Sequence, residues 1–396
     1  MLIIAGIALF MILVIIHELG HFWTAKKSGV QVLEFGIGIP PKLFTLYTDK
    51  TGTEYTINLI PLGGFVRLKG EDSKDEETFK APDSFIMAGF RKKVIILCGG
   101  VIMNFIAAYL IFAFALRYGS KPITILPSNA TVDNVSTRFV TTFDQLIKNN
   151  QVSGDISAQA IQVADVLPDS LIKQAGVKPG DNITHINGKA TNSMIINRQL
   201  KELIGKQFSL DYKASGSNAT STTSITCPAD QCLLGIVIDT NNVLEVKPYK
   251  YGLKDSLIYA WDEVIGQSRL SLNTIGNLLW SLVSFDGTSL NKQANNLTGP
   301  AGAIKIGEII YEAGGWMQFL IFGAMISLSL AVFNILPIPA LDGGRLLGVI
   351  IQKIIGLSAE KYFTIESYIN VVFFVLMMGL GIFILFRDLT RIWGLF

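Results

Sequence analysis

Residues 2–22 read LIIAGIALFMILVIIHELGHF, and this run decides what kind of chain follows. It is long enough to cross a bilayer as a helix, which takes about 20 apolar residues. Yet it ends in His17, Glu18 and His21. Ionisable groups inside a span are expensive and imply a use. Helical positions four apart share a face, so both imidazoles can point at one ion. Zn²⁺ accepts imidazole nitrogen, and a catalytic site keeps one position open for water. Glu18 projects beside that ion, where it can take the water's proton. Only three histidines occur in the chain, and two fall in this pattern. A helix end where His and Glu merely cap or pair leaves three ionisable groups in lipid unexplained.

The composition agrees with a membrane protein. Half of the 396 residues are hydrophobic and 16% are charged. A net charge of +2 is nearly balanced and suggests no nucleic-acid partner. Lys26 and Lys27 follow the first run and mark that end as cytoplasmic. No Lys or Arg precedes the run and no small-residue cleavage site follows it, which argues against a signal peptide.

From 31 to 91 the chain is polar and rich in turns. Phe35–Gly38, Tyr55–Ile60 and Pro61–Leu68 carry β-type residues, and Gly63 and Gly64 permit close backbone approach. They predict a small sheet dipping towards the membrane, whose exposed strand would pair with an extended substrate; a plain cytoplasmic hairpin is the alternative. Residues 72–80 read as a solvated charged loop. Arg91, Lys92 and Lys93 flank a second span at about 94–116, with Gly99, Gly100 and Asn104 inside it. These elements form a first membrane half, 1–117.

Residues 118–250 are rich in Ser, Thr, Asn and Asp and read as a soluble region. Ile183–Gly188 predicts a strand entering a type I′ turn, with His185 at the surface. A later apolar strand covers 233–238. Cys227 and Cys232 flank a plausible turn. They form a local disulfide if the region faces an oxidising compartment, and otherwise remain two unpaired thiols. Segment 251–316 has apolar positions at helical spacing with Asn273, Asn277 and Ser281 on the other face. This predicts one or two amphipathic helices on the outer surface and a connector, with a fifth membrane pass as the runner-up.

The second membrane half, 317–396, carries a third span at about 317–336 that breaks at Pro337 and Pro339. Irregular backbone at membrane depth needs protein or a cavity around it. Asp342 beside the break is a costly charge, and two histidines leave zinc one protein ligand short; a helix-capping Asp is the alternative. A last span covers about 367–386. Four spans place both termini outside the cytoplasm.

Together these pieces resemble the site-2 protease family of intramembrane zinc metalloproteases, within it the bacterial sigma E protease branch. The likeness rests on HELGH at 17–21, Gly63-Gly64-Phe65-Val66 and the Gly100-to-Asn104 spacing. It rests also on Asn296-Leu297-Thr298-Gly299-Pro300, and above all on Asn334 with Leu341-Asp342-Gly343-Gly344. The resemblance implies an α-helical polytopic membrane protein of four spans, with a membrane-associated β element and an inserted extracytoplasmic PDZ-like α+β domain. It implies one zinc ion held by His17, His21 and Asp342, with Glu18 as general base. Asn334 would bind the substrate backbone or the oxyanion, and Gly63, Gly64 and Phe65 would hold the substrate strand. Residues 160–247 would be a circularly permuted PDZ domain, with Leu234, Gly235 and Ile236 in its ligand strand.

The implied setting is the bacterial inner membrane. The active site would lie towards the cytoplasm, and both termini and the PDZ-like region outside. The implied partners are the lipid bilayer, a single-span membrane protein substrate and an upstream site-1-type protease. Two features depart from the branch: one PDZ-like region where two are usual, and Val101 where Pro is frequent. Two other classes remain: an inactive membrane-anchored PDZ adaptor, and a transporter, which would lack the usual internal repeat.

Overall fold

The computed structural model describes residues 2–71, 81–126, 137–153, 160–166, 170–192, 195–229, 232–238, 245–284 and 299–393. The expected loop at 72–80 and residues 296–298 lie outside them. The chain divides into two units, residues 1–118 with 250–396, and residues 119–249.

Among the described residues, the first unit holds six helices: α1 (Leu2–Ser28), α2 (Phe90–Tyr118), α3 (Leu253–Val283), α4 (Pro300–Asn334), α5 (Asp342–Ile355) and α6 (Ala359–Trp393). Among the described residues, four helical segments are long and apolar enough to cross a membrane. They are Ile4–Ser28, Phe90–Tyr118, Gly302–Asn334 and Lys361–Asp388. α1 and α2 meet backbone to backbone at Gly20 and Gly99. A Cβ on Gly99 would lie 2.6 Å from both the Gly20 carbonyl oxygen and Thr24 Oγ1. Only glycine tolerates that approach. Beyond the contact, Phe22, Ala25, Phe35, Ile96, Leu97 and Val349 form one buried cluster across α1, α2, α5 and the neighbouring sheet.

That sheet pairs β1 (Val32–Thr48) with β2 (Glu54–Leu68). Its register wraps the two strands around each other: Phe35 lies opposite both Tyr55 and Val66, and Gly36 opposite both Thr56 and Phe65. Residues 34–37 are therefore central, while 64–67 pair on one side only among the described residues. Ile39, Leu43, Phe44, Leu59 and Ile60 at the far end are exposed.

α4 breaks at Gly315, whose φ of 73° is open to glycine and strained for other residues. Its first part folds back, so that a Cβ on Gly307 would lie 3.2 Å from the Phe319 ring. The start of α4 has only Gly299 as N-cap, and Asp388 of α6 supplies the missing acceptor. Its Oδ2 accepts hydrogen bonds from the backbone N–H of Gly299 (2.8 Å) and Gly302 (3.1 Å).

α3 is one continuous helix with polar side chains on both its buried and its exposed sides. Ser256, Ala260, Glu263, Val264 and Gln267 are buried, while Leu257, Ile258, Trp261, Ile265, Leu272 and Leu279 are exposed. Trp261 meets Tyr109 of α2 edge to face, and Ser271 lies 3.4 Å from Ser329 of α4.

The second unit holds a sheet in the order Thr220–Thr226, Gln207–Lys213, Asn182–Ile186, Ile161–Val166, Ile236–Ile238. Ile161, Ile172, Ile183, Phe208, Leu210 and Leu234 fill its core. Asn187 and Gly188 both take positive φ, 49° and 70°, as a type I′ turn requires. Ser170 caps the short helix Leu171–Gln174, and Ile236–Ile238 closes one edge of the sheet against Ile161–Val166. Cys227 and Cys232 are joined by a disulfide with Cα atoms 5.0 Å apart, buried against the same core.

In the full-length protein, denaturing alkylation without reductant should therefore label one thiol, Cys98, and reduction should raise this to three. Closing so short a loop stabilises by about 2 kcal/mol in the chain-entropy account. Cys227→Ser with Cys232→Ser should lower the unfolding free energy of this unit by about that amount.

Candidate active site

The histidine pair sits on the last turns of α1, where the helical period aims both rings at α2. His21 Nδ1–H donates to the Ile96 carbonyl at 2.8 Å, which leaves its Nε2 lone pair facing the site. His17 is buried, and its Nδ1 lies 3.4 Å from the Asn104 side-chain amide. The atom facing Nδ1 is the Asn104 amide nitrogen; when Nδ1 carries the proton so that Nε2 presents a lone pair, the amide turned over puts its otherwise unpartnered oxygen there as acceptor. Ser327 of α4 donates to the Asn104 backbone carbonyl at 3.1 Å and ties a third helix to this point. Neither imidazole could sit here if residue 100 had a side chain: a Cβ on Gly100 would lie 2.7 Å from His17 Nε2 and closer still to His21 Nε2.

The third group arrives from the other end of the chain. α4 ends at Asn334, the backbone turns through Pro337 and Pro339, and Ala340 takes a positive φ of 71°. Asn370 of α6 accepts the Ala340 N–H at 3.0 Å and holds the turn. Gly343 and Gly344 then let the first turn of α5 fold back onto Ile335–Pro339, where any Cβ would collide with backbone. The result places Asp342 Oδ2 3.0 Å from His17 Nε2 and 3.3 Å from His21 Nε2, with the two Nε2 atoms 3.2 Å apart.

These atoms fit a metal ion. Three corners of a tetrahedron with bonds of about 2.0–2.1 Å lie roughly 3.3 Å apart, close to the spacing seen. Asp342 Oδ2 is buried and accepts no hydrogen bond despite its two imidazole neighbours. A buried carboxylate oxygen without a donor is costly unless a cation compensates it. Among the described residues, His17, His21 and Asp342 are the one such cluster of His, Cys, Asp or Glu.

Glu18 lies on α1 between His17 and His21, and β2 passes over it. A Cβ on Gly64 would be 3.7 Å from Glu18 Cγ and 3.0 Å from the Gly36 carbonyl oxygen. The single-sided stretch 64–67 thus runs past the base, and a Cβ on Gly63 would touch Val14 of α1 at 3.7 Å. Phe65 turns its ring onto Gly36. Asn334 is half-buried at the end of α4, with no hydrogen bond to its side chain among the described residues. His185 is on a strand of the second unit.

One group beside the site had no signal in the sequence. Arg345, one turn after Asp342, pairs with Glu71 after β2 and with Glu366 of α6 (3.4 Å), and lies 5.3 Å from the Phe85 ring. Burial opposes its charge, but Glu71 and Glu366 more than offset this and raise its pKa. The ligand helix is thereby tied to three other segments by one cation.

Two substitutions test the packing around the ligands. Gly100→Ala should displace both rings and abolish zinc binding, whereas Gly276→Ala, where a Cβ meets nothing within 4 Å, should leave it intact. Asn104→Leu removes the partner of His17 and should weaken zinc binding about 10–100-fold, as loss of such support typically does. Metal content after equilibrium dialysis reads both.

A model of Peptidase family M50 matches residues 5–380 of this chain. A Helicobacter pylori protein named "Putative zinc metalloprotease" is 28% identical over 405 residues, spanning 98% of this chain and 99% of its own. Zinc metalloprotease RasP of Shouchella clausii is 28% identical over 444 residues, with 99% of each chain covered. A Clostridium perfringens protein, also named a zinc metalloprotease, is 29% identical over 396 residues, covering 98% of both. Three converging ligands beside a carboxylate do not favour an inactive adaptor. The match takes in both ligand-bearing helices and Glu18, and the chain belongs to peptidase family M50, the site-2 proteases, as a zinc-dependent protease of the membrane.

Proposed function

We propose that this protease cleaves peptide bonds within the transmembrane segments of single-span membrane proteins. Pre-trimmed anti-sigma factors and remnant signal peptides are substrates of this kind, and the setting is regulated intramembrane proteolysis. The observation that carries the proposal is the cluster of His17, His21 and Asp342, with both histidines on a helix apolar enough to span a membrane and Asp342 just past the end of another. Zinc held by His17, His21 and Asp342 would supply Lewis acidity and acidify a water molecule.

The chain's own residues do the rest. A helical substrate offers no free backbone, so it must unwind before it reacts. The one-sided strand 64–67 can pair with the unwound segment through its backbone, with Gly63 and Gly64 allowing close approach and Phe65 flanking it. Glu18 accepts the proton of the attacking water and returns it to the leaving amine. The amide of Asn334 is free to bind the substrate carbonyl.

The lysines at 26–27 and 92–93 favour a cytoplasmic location for those ends of α1 and α2, in a bacterial inner membrane. The unit at 119–249 then lies outside, as do both termini. There it would act as a PDZ-like filter, with Leu234, Gly235 and Ile236 at its binding edge, after a site-1-type protease has trimmed the substrate.

Glu18→Gln should keep zinc and lose about 10²–10⁴ in cleavage rate, the usual scale for a lost general base. Asp342→Asn should lose both metal and activity, and Asn334→Ala should lose activity alone. Full zinc occupancy in Asp342→Asn with loss in Asn334→Ala would reverse the two roles. A cysteine replacing Ser217 should react with an impermeant maleimide once the outer membrane is opened. Labelling only after the inner membrane is breached would refute the orientation.

A further inference from the structure

α2 begins Phe90-Arg91-Lys92-Lys93, with no acidic residue in its first turn. A helix N-terminus carries a partial positive charge, so three successive cations there add to a field that already favours an anion. Arg91 and Lys92 are exposed and can be solvated. Lys93 is only 6% exposed, and among the described residues it makes no ion pair and no hydrogen bond. Glu366 is the acid whose charge reaches it, and that carboxylate is engaged by Arg345. A buried ammonium needs a counter-charge.

Lys93 lines a cavity of about 370 Å³ between the start of α2 and the end of α5. Lys353 lines it too, its Nζ 4.1 Å from the centre of the Phe90 ring, and it pairs with no acid among the described residues. Apart from Gln352, the remaining lining side chains are apolar, including Ile86, Met87 and Leu357. Exposed Met87 and Ile354 continue that apolar surface beyond the cavity. Two free cations above an apolar wall, at the first residue of a membrane-spanning segment, match an amphiphile with an anionic head.

We propose that this cavity binds the phosphate of an anionic phospholipid through Lys93 and Lys353, with an acyl chain along the apolar wall. The inference stands apart from the substrate and orientation proposed above. It adds a lipid contact at the far end of the helix that carries Asp342.

Native mass spectrometry of the full-length zinc protein in detergent tests it. The probes are dioleoyl phosphatidylglycerol, dioleoyl phosphatidylcholine and inorganic phosphate. The wild type should bind phosphatidylglycerol at least 5-fold more tightly than phosphatidylcholine. Lys93→Met, which keeps the aliphatic stem, and Lys353→Gln should each remove most of that preference. If Lys93→Met does not fold, the exposed Lys353→Gln carries the test. An undiminished preference in both variants, or equal binding of the two lipids, would overturn the site. Inorganic phosphate that displaces the lipid in a lysine-dependent way would keep the phosphate site and overturn its assignment to lipid.

Discussion

The metal centre depends on the contact between Gly20 and Gly99. It brings the backbones of α1 and α2 closer than any side chain would permit, and both imidazoles use that closeness. His21 reaches the Ile96 carbonyl, and His17 reaches Asn104, only because α2 lies hard against α1. Apolar packing alone does not favour one helix partner over another in lipid, where the surroundings are equally apolar. Small residues that allow backbones to meet do. The fold has thus placed a backbone-to-backbone helix contact one residue from His21.

Three charged groups of this unit follow a second rule: each is held by groups from a different segment. Asp342 faces two imidazoles from α1, Arg345 joins Glu71 to Glu366, and Asp388 caps the start of α4. In a low-dielectric setting such pairs are costly to break, since the partner left behind is unpaired. α6 has no buried residue in its most apolar window; Tyr362 packs into the buried cluster near its start, and Glu366, Asn370 and Asp388 make polar contacts to other segments.

The histidine pair is legible in the sequence because helical period and zinc chemistry agree on a spacing of four. Asp342 is legible because a carboxylate at a proline break in a span needs a purpose. The break before the third span is seen from both sides: Gly315 bends the helix close to residue 317, where the hydrophobic run was expected to start. The partners of the imidazoles are harder. Ile96 contributes a carbonyl, which every residue has, so no residue type could reveal it. The passage of Gly64 over Glu18 depends on how β1 and β2 wrap around each other, which local pattern does not encode. α3 left two alternatives open because a hydropathy window averages over faces. Ser256, Glu263 and Gln267 point into the protein while Trp261 and Leu272 point outward, a distinction that appears only with the neighbours in place.

The ligands come from opposite ends of the chain, with the whole 119–249 unit between them. An ion shared by His21 and Asp342 closes a loop of about 320 residues, and the entropy of closing a flexible loop grows only with the logarithm of its length. Doubling such a loop adds roughly 0.6 kcal/mol. The distance that makes the third ligand hard to foresee therefore puts little strain on assembling the centre. A chain of this design can lengthen, shorten or duplicate what hangs between its two membrane halves and still bring the same three atoms together.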